Sequence, residues 1–134
     1  MKKPSDFELH ILSVLWTSAP LTVREVRERL ADGKERAYTS VLSVMQVMEK
    51  KGLLRREKPA KGSADHWFPA VKRETVTTPL MQRLIGQVFG GKPSAVMQQL
   101  LQAESLDAEE LAEIRRLLEA YEAEQGEGKK GNAE

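Results

Sequence analysis

The sequence predicts a mainly α protein with one small β-hairpin: a winged helix-turn-helix unit over residues 1–72, a helical dimerisation region over 73–124 and a disordered tail over 125–134. Three observations predict it. Three short amphipathic segments lie before Gly52, two of them opened by capping residues. A basic, turn-rich stretch between two short strand patterns follows them. The charge then changes sign: residues 1–72 hold 14 Lys/Arg against 9 Asp/Glu, and residues 73–134 hold 7 against 11. The front half, at +5, suits a polyanion, and the rear half, at −4, suits another task.

The first helix is expected from Ser5, because Ser5-Asp6-Phe7-Glu8 fits the S-x-x-E box that supplies acceptors to free amides at a helix start. Phe7, Ile11, Leu12, Leu15 and Trp16 then form one stripe of 3.6-residue period. Ala19-Pro20 stops it. Thr22-Val23-Arg24-Glu25 repeats the capping pattern, Val23, Val26 and Leu30 give a short second helix one apolar face, and Asp32-Gly33 is its expected stop.

The third helix, Tyr38 to Lys51, carries the most information. A helical wheel turns Tyr38, Val41, Val44, Met45 and Met48 inward, with Leu42 at the margin, and Thr39, Ser43, Gln46, Val47 and Lys50 outward. Gly52 is expected as a left-handed cap, Leu53 to Glu57 as a strand, Lys58 to Asp65 as turn, and His66 to Ala70 as the returning strand. Further on, Thr78 as cap and Pro79 at the first helical position open a helix that Gly90-Gly91 ends. A second rear helix spans Pro93 to Ala103, and a third opens at Asp107-Ala108-Glu109-Glu110.

Residues 49–61 hold Lys50, Lys51, Arg55, Arg56, Lys58 and Lys61 against Glu49 and Glu57, a local net of +4 beside a polar helix face. Phosphate neutralisation by those cations, with groove entry by the helix, is the chemistry such a pairing supports. Thr39, Ser40, Ser43 and Gln46 can reach base edges, since an amide can pair bidentately with adenine and hydroxyls serve as donor or acceptor. Val47 can lie against a thymine methyl. Leu80, Leu84, Val88, Leu100, Leu111, Ile114, Leu118 and Tyr121 exceed what one small protomer can bury, so a symmetric partner is expected to cover them. An alternative stays open: a winged-helix protein-interaction module whose basic wing grips an acidic partner and whose third helix touches no base.

Other classes are excluded by what is missing. With no cysteine there is no disulfide, thiol nucleophile or Cys-ligated metal, and His10 and His66 lie far apart without a ligand-spaced partner. No enzymatic activity, metal or cofactor is expected. The longest charge-free run, Ala37 to Met48, is twelve residues and cannot span a membrane. MKKPSDFELH lacks the apolar core of an export signal, so the chain is read as cytoplasmic.

The segments Glu8-Leu9-His10-Ile11-Leu12-Ser13-Val14-Leu15-Trp16, Leu21-Thr22-Val23-Arg24-Glu25-Val26, Tyr38-Thr39-Ser40-Val41-Leu42-Ser43-Val44-Met45, Glu49-Lys50-Lys51-Gly52-Leu53-Leu54-Arg55-Arg56 and Phe89-Gly90-Gly91 resemble, in order and spacing, the BlaI/MecI/CopY penicillinase-repressor family. The resemblance covers about residues 6 to 122 and is most specific in the YTSVLSV and EKKGLLRR blocks. It implies a homodimeric repressor with a winged helix on a palindromic operator, a helical dimerisation region, and a regulatory protease among its partners. Val47 stands where relatives often carry Arg. The Asn-Phe pair cut in staphylococcal members falls near Gln98-Gln99-Leu100 and is absent, and the cysteines of the copper-responsive branch are absent too.

Overall fold

The computed structural model describes residues 3–30 and 33–132, with side chains to residue 127. Its elements are α1 (Asp6–Ser18), α2 (Val23–Arg29), α3 (Tyr38–Lys50), β1 (Leu54–Glu57), β2 (His66–Pro69), α4 (Arg73–Val88), α5 (Pro93–Ala103) and α6 (Ala108–Asn132). The chain divides into two compact units, Met1–Gln82 and Arg83–Glu134.

Both expected capping boxes form. The Ser5 N–H donates to Glu8 Oε1 at 2.9 Å while the Glu8 N–H donates to Ser5 Oγ at 3.2 Å. Thr22 and Glu25 repeat the exchange at 3.0 Å and 3.2 Å. α1 runs two residues past Trp16 and stops where Ala19 turns extended ahead of Pro20, whose ring disfavours helical backbone in the preceding residue. α2 ends at Arg29, short of the expected stop, because Leu30 turns extended and lays its side chain against the core. Asp32 lies outside the described residues.

The core of the first unit joins Ile11, Leu12 and Leu15 of α1, Val23 and Val26 of α2, and Val41, Met45 and Met48 of α3 to Leu21, Leu53, Leu54, Trp67 and Val76. Tyr38 departs from the helical wheel: it is 46% exposed, whereas Val41, one turn further on, is fully buried. Gly52 adopts φ +81°, the Leu53 N–H reaches back to the Met48 carbonyl at 2.9 Å and the Gly52 N–H to Glu49 at 3.0 Å. That pair of bonds is a Schellman cap, with buried Leu53 and Met48 as its apolar contact. The cap takes Leu53 out of the strand it was expected to begin.

β1 and β2 pair antiparallel in the register Leu54↔Pro69, Arg55↔Phe68, Arg56↔Trp67, Glu57↔His66. Trp67 also exchanges backbone hydrogen bonds with Leu21, at 2.7 Å and 3.3 Å, which ties the hairpin to the α1–α2 connection. Trp16 donates from Nε1 to the Val71 carbonyl at 2.9 Å, holding the exit of the hairpin to α1.

α4 starts earlier than the sequence suggests. It begins at Arg73, and Pro79 sits inside the helix instead of at its first position. Val76, 5% exposed, decides this: burying it in the core fixes the turn before Pro79 as helix, and that burial offsets the backbone bond that proline removes. Gly90 and Gly91 end the helix at φ +61° and +79°. α6 opens as expected, with the Glu110 N–H on Asp107 Oδ1 at 2.8 Å. It continues through residues 125–132, expected to be disordered, as an extension of an already formed helix, which carries no nucleation cost even though Gly126, Gly128 and Gly131 are poor helix formers. Met81 is 47% exposed. Among the described residues every buried apolar side chain lies at or before Val76, so the second unit has no buried core of its own.

Candidate nucleic-acid interface

α3 is held by one face and displays the other. Val41, Met45 and Met48 are fully buried, whereas Thr39, Ser40, Ser43, Gln46, Val47 and Lys50 are all exposed. The spacing 39, 43, 46, 50 is one ridge of a helix, so these groups converge on one surface. Among the described residues no side-chain hydrogen bond or ion pair engages Thr39, Ser43, Gln46 or Lys50. Their donors and acceptors are open to an external partner.

The wing is different, because nearly all of its cations already have protein partners. Cross-strand pairing places each arginine opposite an aromatic ring: Arg55 stacks 4.1 Å over Phe68, and Arg56 lies 5.1 Å from the Trp67 ring. Phe68 is only half-buried, and its ring is covered by a guanidinium. Arg55 pairs with Glu57 at 2.6 Å. Arg56 reaches Glu49 at 3.1 Å and Asp65 at 3.3 Å. Lys58 donates to the Ser63 carbonyl at 3.1 Å and lies 3.6 Å from Asp65. Lys61, beside the turn glycine Gly62 at φ +85°, is exposed and has no ion pair among the described residues.

Lys51 stands apart from the other basic candidates. It is turned back onto Glu8 of α1, 2.9 Å from Oε2, and only 6% of the Glu8 side chain is exposed. Burial works against ionisation of Glu8, but hydrogen bonds from the Ser5 backbone, Lys51 and the Ser5 side chain, with the Lys51 charge, outweigh it and hold the carboxyl below its ordinary value. The hydrogen bonds of the Thr22 backbone and side chain likewise hold Glu25 low, helped by the charges of Arg29 and His66.

Sequence reasoning missed Glu49 and Asp65 as partners of Arg56, and Tyr38 as an exposed group at the head of α3. Opposite charges on either side of Arg56 were visible, but only the hairpin register brings Asp65 to it. In the second unit Leu84, Val88, Leu100, Leu118 and Tyr121 are exposed, while Leu111 and Ile114 are half-buried; half-buried Leu80 belongs to the first unit. No group of three or more His, Cys, Asp or Glu that could hold a metal ion occurs among the described residues. No helix among them is long and apolar enough to cross a membrane.

The sequence profile of the penicillinase repressor family matches residues 4–120. The chain belongs to the penicillinase repressor family. It is 30% identical over 124 residues to the transcriptional regulator BlaI of Mycobacterium tuberculosis, in strains CDC 1551 / Oshkosh and H37Rv, across 90% of this chain and 86% of that protein. Among solved structures, Streptococcus pneumoniae FabT, determined in complex with DNA, is similar at a TM-score of 0.50 and 19% identity, across 92% of this chain and 77% of that one. At that identity the likeness is one of fold, a winged helix. In this member of the penicillinase repressor family the YTSVLSV block opens the third helix, and EKKGLLRR covers the end of that helix, its Schellman cap and most of the first wing strand.

Proposed function

We propose that this chain represses transcription by binding a palindromic DNA operator as a homodimer, with α3 in the major groove and the wing against the flanking backbone. One observation carries the reading: the polar ridge Thr39, Ser43, Gln46 and Lys50 is exposed and unengaged while the opposite face of the same helix is fully buried. A helix held that rigidly presents its donors and acceptors without first breaking internal bonds. Gln46 suits an adenine edge, the hydroxyls of Thr39, Ser40 and Ser43 suit either role, and Val47 offers a methyl contact to thymine. Among the described residues Lys50 and Lys61 have no partner to exchange, and they would neutralise phosphate directly. Arg55 and Lys58 would have to leave exposed ion pairs, which are worth only about 0–1 kcal/mol each.

The bare apolar surface of the second unit supports the dimer, and two-fold symmetry sets half-sites about one helical turn, or a multiple of it, apart. A mobility-shift titration at moderate salt tests the reading. The duplex carrying the promoter of the chain's own gene is expected to bind more tightly than a scrambled duplex of equal composition. Equal affinity for the two would refute sequence-specific repression.

A further inference from the structure

The two wing arginines are adjacent in sequence but occupy opposite faces of the hairpin. Cross-strand partners share a face, so Leu54, Pro69, Arg56 and Trp67 lie on one side and Arg55, Phe68, Glu57 and His66 on the other. Leu54 and Trp67 are buried, at 2% and 1% exposure, which makes theirs the side turned to the core. Arg56 therefore points inward, toward the end of α3. There its Nε meets Glu49 Oε2 at 3.1 Å, its Nη1 meets Asp65 Oδ2 at 3.3 Å, and the guanidinium lies 5.1 Å from the Trp67 ring. Glu49 belongs to the last turn of α3, and Asp65 immediately precedes β2. One side chain thus joins the recognition helix, the first wing strand and the root of the second.

From this geometry we infer that Arg56 is a positioning residue: it clasps the wing to the end of α3 so that both reach DNA in one fixed relation, and it does not itself neutralise a phosphate. The inference rests on the reading of α3 and the wing as a DNA surface. An isolated exposed ion pair would carry little weight. Here two carboxylates and a ring hold the fork in three directions, and the side chains involved are 28% to 37% exposed. The Schellman cap at Gly52 already sets where β1 leaves α3 along the backbone, and Arg56 fixes the remaining freedom, the swing of the hairpin about that exit. Arg55, on the outer face and 52% exposed, is the arginine placed to meet phosphate.

The probes are the duplex that the wild-type protein enriches from a random-sequence library and a scrambled duplex of the same composition, each titrated across a salt series. A phosphate-contacting arginine would lower the slope of log affinity against log salt by about 0.9 when removed. Lysine at that position would restore the contact, since a point charge suffices for phosphate. The clasp gives the opposite pattern. Arg56→Gln and Arg56→Lys are both expected to leave the salt slope unchanged and to cut the preference for the enriched duplex about tenfold, because lysine has no fork to span two acids.

The double variant Glu49→Gln with Asp65→Asn gives a test of sign. Removing two acids beside DNA would tighten binding if Arg56 were thereby freed for phosphate, whereas loss of the clasp lowers preference for the enriched duplex. In the free protein, amide exchange across Leu54–Glu57 and His66–Pro69 should quicken in all three variants. A reduced slope in Arg56→Gln, full rescue by Arg56→Lys, tighter binding with intact preference in the double variant, or unaltered exchange would each overturn the clasp. If the wild-type protein enriches no duplex, the DNA reading falls instead, and the exchange measurement still decides whether Arg56 holds the wing.

Discussion

Lys51 Nζ lies within hydrogen-bonding distance of both carboxylate oxygens of Glu8, at 3.1 Å and 2.9 Å, across 43 residues of sequence. The same carboxylate caps the first turn of α1 through Ser5. One nearly buried acid therefore fastens the start of α1 to the end of α3, and the lysine that charge counting assigned to DNA is a fastener between helices.

Lys51→Ala should accordingly reduce stability and leave phosphate binding alone. It strands the Glu8 carboxylate at 6% exposure without its cation, a loss of about 1–3 kcal/mol for hydrogen bonds to a charged group. Urea unfolding reads that loss. The salt slope of DNA binding should stay at the wild-type value, whereas a drop of about 0.9 would return Lys51 to the phosphate contacts.

The same pair sets a pH dependence. The folded protein holds the Glu8 carboxyl below its ordinary value of 4.5, so near and below that pH the unfolded chain binds more protons than the folded one. Stability from this group is complete above about pH 4.5, rises with pH through the window beneath it, and is lost as pH falls through the folded value. Glu25 is held low in the same direction. Denaturation midpoints between pH 7 and pH 3 should fall less steeply in Glu8→Gln than in wild type, with the Glu25 contribution remaining. An unchanged profile would show that Glu8 is not held low.

Ser43→Ala combined with Gln46→Ala separates a base reader from a protein-interaction module. Both side chains are exposed and unengaged, so the fold should be unaffected. A base reader loses about 1–3 kcal/mol of discrimination per good base contact removed while its affinity for arbitrary duplex persists. Competition binding with scrambled DNA measures the ratio. If the ratio does not move, α3 does not read bases.

Leu111→Gln, Ile114→Gln and Leu118→Gln together address assembly. Each large apolar side chain that a partner covers fully is worth about 1.5–3 kcal/mol. Sedimentation is expected to show monomers in the triple variant and dimers in wild type, and full-operator binding should weaken with the loss of the second half-site. Variants that sediment as dimers would place the interface elsewhere on the chain.

Much of the local structure was legible because its causes are local. The two S/T-x-x-E boxes, the Gly52 cap, the Gly90-Gly91 break and the Asp107 cap each involve groups a few residues apart, and each forms as its residues imply. The periodicity that buries Val41, Met45 and Met48 also displays Thr39, Ser43, Gln46 and Lys50, so the open ridge of α3 follows from the order of its residues. At Pro79 and in the wing, where the sequence reading departs from the structure, a distant contact was responsible. Pro79 lies inside α4 because Val76 is drawn into a core built by residues up to 65 positions earlier, starting at Ile11. Six cations in a short stretch read as one basic patch, but their side chains are long, and the counterions of those that are paired lie anywhere from 2 residues away, as Glu57 does from Arg55, to 43, as Glu8 does from Lys51. Only the packing of α1 against α3 and the register of the hairpin decide that Lys51 faces Glu8, that Arg56 faces Glu49 and Asp65, and that Lys50 and Lys61 stay open to solvent. Sequence determines which residues can carry charge to a surface, and tertiary structure determines which charges are already spoken for, because an ion pair depends on distance in space and not on separation along the chain.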